Sequence, residues 1–118
     1  MNHFISLTAA KAMTARFRAQ RENILKTEFQ GQNVLAICET YDRSAFDTIL
    51  AKSECRAVRI YYGMDENLRI HAIIVAVDAD DEDIIPVSSL TSIIEEGDII
   101  DNANRCPDLC PPSSELNS

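Results

Sequence analysis

Three observations predict an α+β fold for this chain. The N-terminal stretch has apolar residues at helical spacing, two β-rich runs flank a Gly/Asp/Asn loop in the middle, and the last third is broken by prolines and cysteines. The expected sheet is antiparallel and centred on a hairpin over residues 56–78. It is packed by an N-terminal helix over about 7–26 and a short second helix over about 43–52. At 118 residues and 13.2 kDa the chain is long enough for one core and too short for two. The expected organisation is a single domain over 1–105, with a Pro/Cys tail over 106–118 docked on that domain or on a partner.

In the first helix Ser6 is the N-cap. Leu7, Ala10, Met13, Phe17 and Ile24 form one stripe, and Lys11, Arg16, Arg18, Arg21 and Glu22 lie away from it. The stripe is expected to face the core and the basic side to face water. Gln30-Gly31-Gln32-Asn33 reads as a loop, and Val34 to Glu39 is an apolar run long enough for a short strand. Asp42 caps the second helix, Phe46, Ile49 and Leu50 are its buried stripe, and Tyr41 stands where it can staple the helix start.

The hairpin is the clearest element. Arg56 to Tyr62 and Leu68 to Asp78 are β-rich and are separated by Gly63-Met64-Asp65-Glu66-Asn67. In the first strand Val58, Ile60 and Tyr62 face one side, and Arg59 and Tyr61 the other. The second strand is apolar on both faces: Ile70, Ala72, Ile74 and Ala76 on one, Ile73, Val75 and Val77 on the other. A lone hairpin is marginal in water, so further strands, covering helices or a second subunit must bury it. Tyr62 is expected in the core. Arg59, Tyr61, Ile73 and Val75 are the candidate interface.

Beyond Asp78 the pattern weakens. Asp78 to Asp83 is an acidic loop, Pro86 keeps Ile84-Ile85-Pro86-Val87 off a central position, Ser88 or Ser89 caps one helical turn ending at Gly97, and Asp98 to Asp101 fits a short edge strand. The three prolines after Cys106 restrict the tail to turns and extended backbone.

The net charge of −8 is unevenly placed. Residues 1–77 carry ten Lys/Arg and eight Asp/Glu, and residues 78–118 carry Arg105 against eleven Asp/Glu. An acidic third repels phosphate, which argues against a nucleic-acid partner. It is expected either to be solvated or to lie against the basic face of the first helix. The opening residues lack a signal-peptide pattern and no apolar run approaches a membrane span, so the expected setting is cytoplasmic, with no membrane partner and cysteines mostly reduced.

The chemistry-bearing residues are few. Asp78, Asp80 and Glu82 alternate as calcium ligands do, but Asp83 stands where the loop requires glycine and Ser89 where it requires the bidentate glutamate. Cys106 and Cys110 are spaced for zinc, and Cys38 and Cys55 are available to complete a four-sulfur set; a disulfide or redox pair and unliganded thiols are the other readings. The carboxylates Asp98, Asp101 and Asp108 disfavour a thiolate there. His3 and His71 are the only histidines, and no phosphate loop, H-E-x-x-H or G-x-S-x-G is present. No cofactor is expected apart from a zinc ion on Cys106 and Cys110.

The segment Arg59-Ile60-Tyr61-Tyr62-Gly63-Met64-Asp65, the following His71-Ala72-Ile73-Ile74-Val75, and the ending Arg105-Cys106-Pro107 to Cys110-Pro111-Pro112-Ser113-Ser114 resemble a group of small uncharacterised bacterial proteins. Met13 to Arg18 share in the likeness, so it spans nearly the whole chain. The resemblance implies that hairpin and tail belong to one unit, and it implies no activity. The expected function is therefore a non-catalytic interaction or self-assembly protein, acting as a homo-oligomer or with a protein partner. A metal- or redox-responsive module using Cys106 and Cys110 is the alternative, and a small enzyme the third reading.

Overall fold

A computed structural model of the chain describes residues 2–86 and 98–118. Its elements are α1 (Leu7–Gln20), a 3-10 turn (Thr27–Phe29), β1 (Cys38–Thr40), α2 (Arg43–Leu50), β2 (Ala57–Met64), β3 (Ile70–Val77), β4 (Asp83–Ile84), β5 (Ile99–Ile100) and β6 (Asn104–Cys106). The α+β class, the N-terminal helix and the hairpin are those expected. The helical turn expected between Ser88 and Gly97 lies outside the described residues.

β3 is the centre of the main sheet. It pairs with all of β2 on one side, from Ala57↔Val77 to Met64↔Ile70. On the other side β4 takes Ala76 and Val77, and β5 takes Ile74 and Val75. The hairpin turn is closed by Asp65, whose carboxylate accepts from the Asn67 and Arg69 amides at 2.8 and 3.0 Å. The acidic loop between β3 and β4 is closed the same way. Asp78 Oδ1 accepts the amides of Asp80 and Glu82, at 2.9 and 3.0 Å, and Asp81 takes the left-handed conformation at φ 63°. The side chain that resembles a calcium ligand thus builds a turn.

The core lies on one face of β3. Ile49, Ile74, Ala76 and Ile100 are buried together, and Tyr41, Ala45, Phe46, Cys55 and Ile84 pack around them. α2 is set on this face by its staple: the Tyr41 ring meets Phe46 edge-on, with centroids 5.9 Å apart. Its Asp42 cap makes no side-chain bond to the helix, and of the expected stripe only Ile49 is fully buried, while Leu50 is exposed.

α1 departs from expectation. Ser6 caps it as read, accepting from the Ala9 amide at 3.0 Å, but the helix stops at Gln20 and buries none of its residues. Leu7, Met13, Phe17 and Ile24 are exposed. The buried residue is Arg21, expected on the solvated side, whose guanidinium bonds Glu22 and Asn33. Its two terminal nitrogens are paired in this way while Nε has no partner, and these polar contacts, in place of an apolar one, position the end of the helix. The radius of gyration, 16.6 Å, exceeds the roughly 13.5 Å of a compact chain this long.

Candidate functional site

Two regions carry features beyond what the core requires: the outer strand of the hairpin and the β1/β6 ribbon. β2 hydrogen-bonds to β3 and, among the described residues, to no other strand. Its Val58, Ile60 and Tyr62 share a face with Ala76, Ile74 and Ala72, the face that α2 covers. An eight-residue helix is only about 12 Å long. It shields β3 and leaves Val58, Ile60 and Tyr62 at 45%, 52% and 80% exposure. Tyr62, expected in the core, is thus the most open of the three. α1 does not close the gap: Phe17 faces Tyr62 across an apolar cleft of about 240 Å³ that Leu35, Ile70 and Ala72 complete. A second apolar cleft, of about 310 Å³, lies between Ile24, Leu25 and Phe29 and the hairpin's Met64 and Leu68.

The opposite face holds the four residues read as an interface, and the register does bring them together as Arg59↔Val75 and Tyr61↔Ile73. Their surroundings differ from that reading. Val75 is buried at 3% exposure, so it presents no surface. Ile73 is half-buried, with its Cδ1 in the space beside Gly63. Arg59 donates to Asp83 Oδ1 at 2.6 Å and also to Asp81, and the Tyr61 hydroxyl donates to Asp83 Oδ2 at 2.5 Å. The Tyr61 hydrogen bond and then Arg59 hold the Asp83 carboxyl below its ordinary range; Asp83 in turn raises Arg59 and Tyr61. Of the acidic residues, expected either to be solvated or to lie against the basic face of α1, Asp81 and Asp83 pair with Arg59 of β2, and Asp98 pairs with Lys52 of α2.

The β1/β6 ribbon attaches to β3 through side chains. β4 and β5 stop short of the first half of β3, and among the described residues the main-chain groups on that edge have no strand partner. The Ala72 amide donates to Glu39 Oε1 at 3.0 Å, the Ile70 carbonyl accepts from Arg105 at 2.7 Å, and the Ala72 carbonyl accepts from the Tyr41 hydroxyl at 3.0 Å. The Ile70 amide donates to the Val34 carbonyl at 2.8 Å. Glu39 and Arg105 are themselves a cross-strand pair of the ribbon, so two short strands present a matched acid and base to a bare edge. Burial pushes the Tyr41 phenol up to about 12, with the Glu39 charge adding to it.

His71 sits nearby with both ring nitrogens facing carboxylates, Nε2 at 2.8 Å from Asp65 and Nδ1 at 3.3 Å from Asp101. The hydrogen bond from His71 keeps the Asp65 carboxyl below its usual range. The small cavity here is lined by Gly63, Met64, Ile73 and these three residues, and none of the six carries a hydroxyl or thiol.

On the ribbon, alternation puts Cys38 and Cys106 on the face opposite Glu39 and Arg105. Cys106 and Cys110 are joined in a disulfide, with Cα atoms 4.4 Å apart, and Cys38 and Cys55 are free thiols. The pair takes the disulfide form, one of the readings open for it: a tight turn, closed by the Leu109 amide on the Arg105 carbonyl at 2.7 Å, brings the two Cα atoms within bonding reach. Bonded sulfurs are not thiolates, so the zinc reading of Cys106 and Cys110 applies only to their reduced form; among the described residues no group of three or more ligating side chains is placed to hold a metal. The tail is anchored by charge more than by its leucines. Arg18 donates to the main-chain oxygens of Leu116 and Ser118 at 2.6 and 2.8 Å, and Arg69 pairs with Asp108 at 3.1 Å, while Leu109 and Leu116 stay exposed.

No family model, curated protein or solved structure matches the chain. Among the described residues no helix is long and apolar enough to cross a membrane.

Proposed function

We propose that the protein is a non-catalytic assembly module whose β2 edge pairs with the same edge of a second copy. The observation that carries this reading is β2 itself: a strand of eight residues, paired on one edge, with Val58, Ile60, Tyr62 and Met64 exposed. Natural edge strands are protected by lysines, prolines or bulges, and β2 has none of these. Its one charge, Arg59, is paired within the chain with Asp81 and Asp83, so β2 presents no unpaired cation to a second copy. Antiparallel pairing about a two-fold axis places each apolar row against its own copy and satisfies the outer main-chain groups. The interface this reading favours is centred on Val58, Ile60 and Tyr62, with Tyr61 and Arg59 at its other face.

Light scattering after size exclusion tests it. At micromolar concentration the chain should elute with twice the 13.2 kDa of one copy, and Ile60→Lys with Tyr62→Lys should return it to one copy without loss of helical signal. A wild-type chain that stays at one copy up to 100 μM sinks the proposal.

The disulfide supports a second reading, a redox-responsive module using Cys106 and Cys110. Cys110 is exposed and Cys106 is 4% exposed, so oxidants and reductants in solution meet only one sulfur of the pair.

A further inference from the structure

We propose that Cys38 is the third member of the cysteine site, and that the disulfide moves between Cys106–Cys110 and Cys38–Cys106. The inference rests on the redox reading of Cys106 and Cys110 and adds the residue that makes the bond mobile. Cys38 and Cys106 are register partners in the antiparallel β1/β6 ribbon. Directly opposed residues in such a ladder have Cα atoms about 4.5–5.5 Å apart and side chains on the same face, which lies inside the roughly 4.4–6.8 Å window of a disulfide. Cys106 therefore has two sulfurs within reach, one across the strand and one along the turn. Cys38 is a half-buried free thiol, Cys106 is buried and Cys110 exposed.

The exchange is balanced without an outside oxidant. Cys38 loses its proton to water and its sulfur attacks Cys106 Sγ; the Cys106–Cys110 bond breaks, the Cys38–Cys106 bond forms, and Cys110 leaves as a thiolate. The outcome is a buried cross-strand link and one nucleophilic sulfur on the surface turn. That thiolate takes a low-molecular-weight disulfide: it forms a mixed disulfide with one half and releases the other half as a thiol. The carboxylates expected to suppress thiolate chemistry are engaged elsewhere, Asp108 with Arg69, Asp98 with Lys52 and Asp101 facing His71.

Peptide mapping by mass spectrometry, after equilibration in a glutathione redox mixture, acid quench and alkylation, reads the bonds directly. Wild type should contain Cys106–Cys110 together with a minor Cys38–Cys106 species, and folded Cys110→Ser should contain Cys38–Cys106 as its main bond. In a native pulse with iodoacetamide, Cys38→Ser should lower labelling of Cys110 at least tenfold, a comparison that does not depend on how the Cys110 variant folds. If wild type holds Cys106–Cys110 while Cys110→Ser leaves Cys38 and Cys106 unlinked, or if Cys38→Ser leaves Cys110 labelling unchanged, the exchange is overturned and the two-cysteine reading stands. Absence of Cys106–Cys110 from the wild-type map overturns both.

Discussion

The two strands of the hairpin are the same length, are paired along all eight positions, and are both rich in strand-forming apolar residues, yet the structure treats them oppositely. Ile74, Val75, Ala76 and Val77 of β3 are buried on both faces, whereas β2 exposes Val58, Ile60 and Tyr62. The difference is position. β3 has neighbours on both edges and α2 above it; among the described residues β2 has one strand neighbour, and it lies beyond the reach of a two-turn helix. Burial in a small sheet is set by how far its covering elements extend, and apolar side chains left outside that cover are available to a second molecule. The helices repeat the contrast. The shorter, α2, buries Ile49 completely, while the longer, α1, buries nothing.

The sharpest way to break this comparison is to truncate equivalent residues across one register pair. Ile74→Ala should cost about 2–5 kcal/mol in urea unfolding, and its partner Ile60→Ala under about 1 kcal/mol at concentrations where one copy prevails. Equal losses would mean that β2 is covered as well as β3.

A smaller effect is expected where the strands touch closely. A Cβ added at Gly63 would lie 2.5 Å from Ile73 Cδ1. Because Cδ1 is the free end of the Ile73 side chain and can turn aside, Gly63→Ala should destabilise by no more than about 1 kcal/mol. The same change in an Ile73→Val background, which lacks that Cδ1, should cost much less, as a double-mutant cycle would report.

The side-chain clamp on β3 should respond to base. Tyr41 is raised from 10.0 to about 12, so its contribution is complete below the unfolded value and is lost as pH rises from 10 towards 12. Tyr41→Phe should lose about 1 kcal/mol at neutral pH through the unpaired Ala72 carbonyl, and should flatten stability across that alkaline window.

The smallest effect belongs to the exposed face of β2. Asp83 is lowered from 3.8 by Tyr61 and Arg59. Its contribution is present above 3.8 and disappears as pH falls through the lowered value. Asp83→Asn should remove this contribution at neutral pH and flatten the acid-dependent part of the stability curve, so that variant and wild type converge as pH falls. An unaltered acid limb would place the acid sensitivity in the similarly lowered Asp65.

Local elements were legible because each is written in neighbouring residues. Ser6 as a cap, Tyr41 as a staple, the hairpin around its Gly/Asp/Asn loop, and the edge strand at Ile99–Ile100 all follow from short-range chemistry and the two-residue period of a strand. The candidate site was legible in part. Arg59 with Tyr61, and Ile73 with Val75, were each readable as sharing a face of their own strand, but that the two pairs share one sheet face and which face lies open could not be read, because these depend on register, on the length and seat of α2 and on α1 failing to close on the sheet. The same limit hid Glu39 and Arg105, whose roles exist only when the ribbon meets the bare half of β3, and Cys38, whose partner is 68 positions away and becomes its neighbour through register. By itself the sequence determined the α+β class, the hairpin and the turns, since alternation, capping and proline act within a few residues. Tertiary structure alone decided which apolar face is covered, which charges are paired and which sulfurs meet, since those outcomes depend on contacts between segments whose spacing along the chain carries no periodic signal.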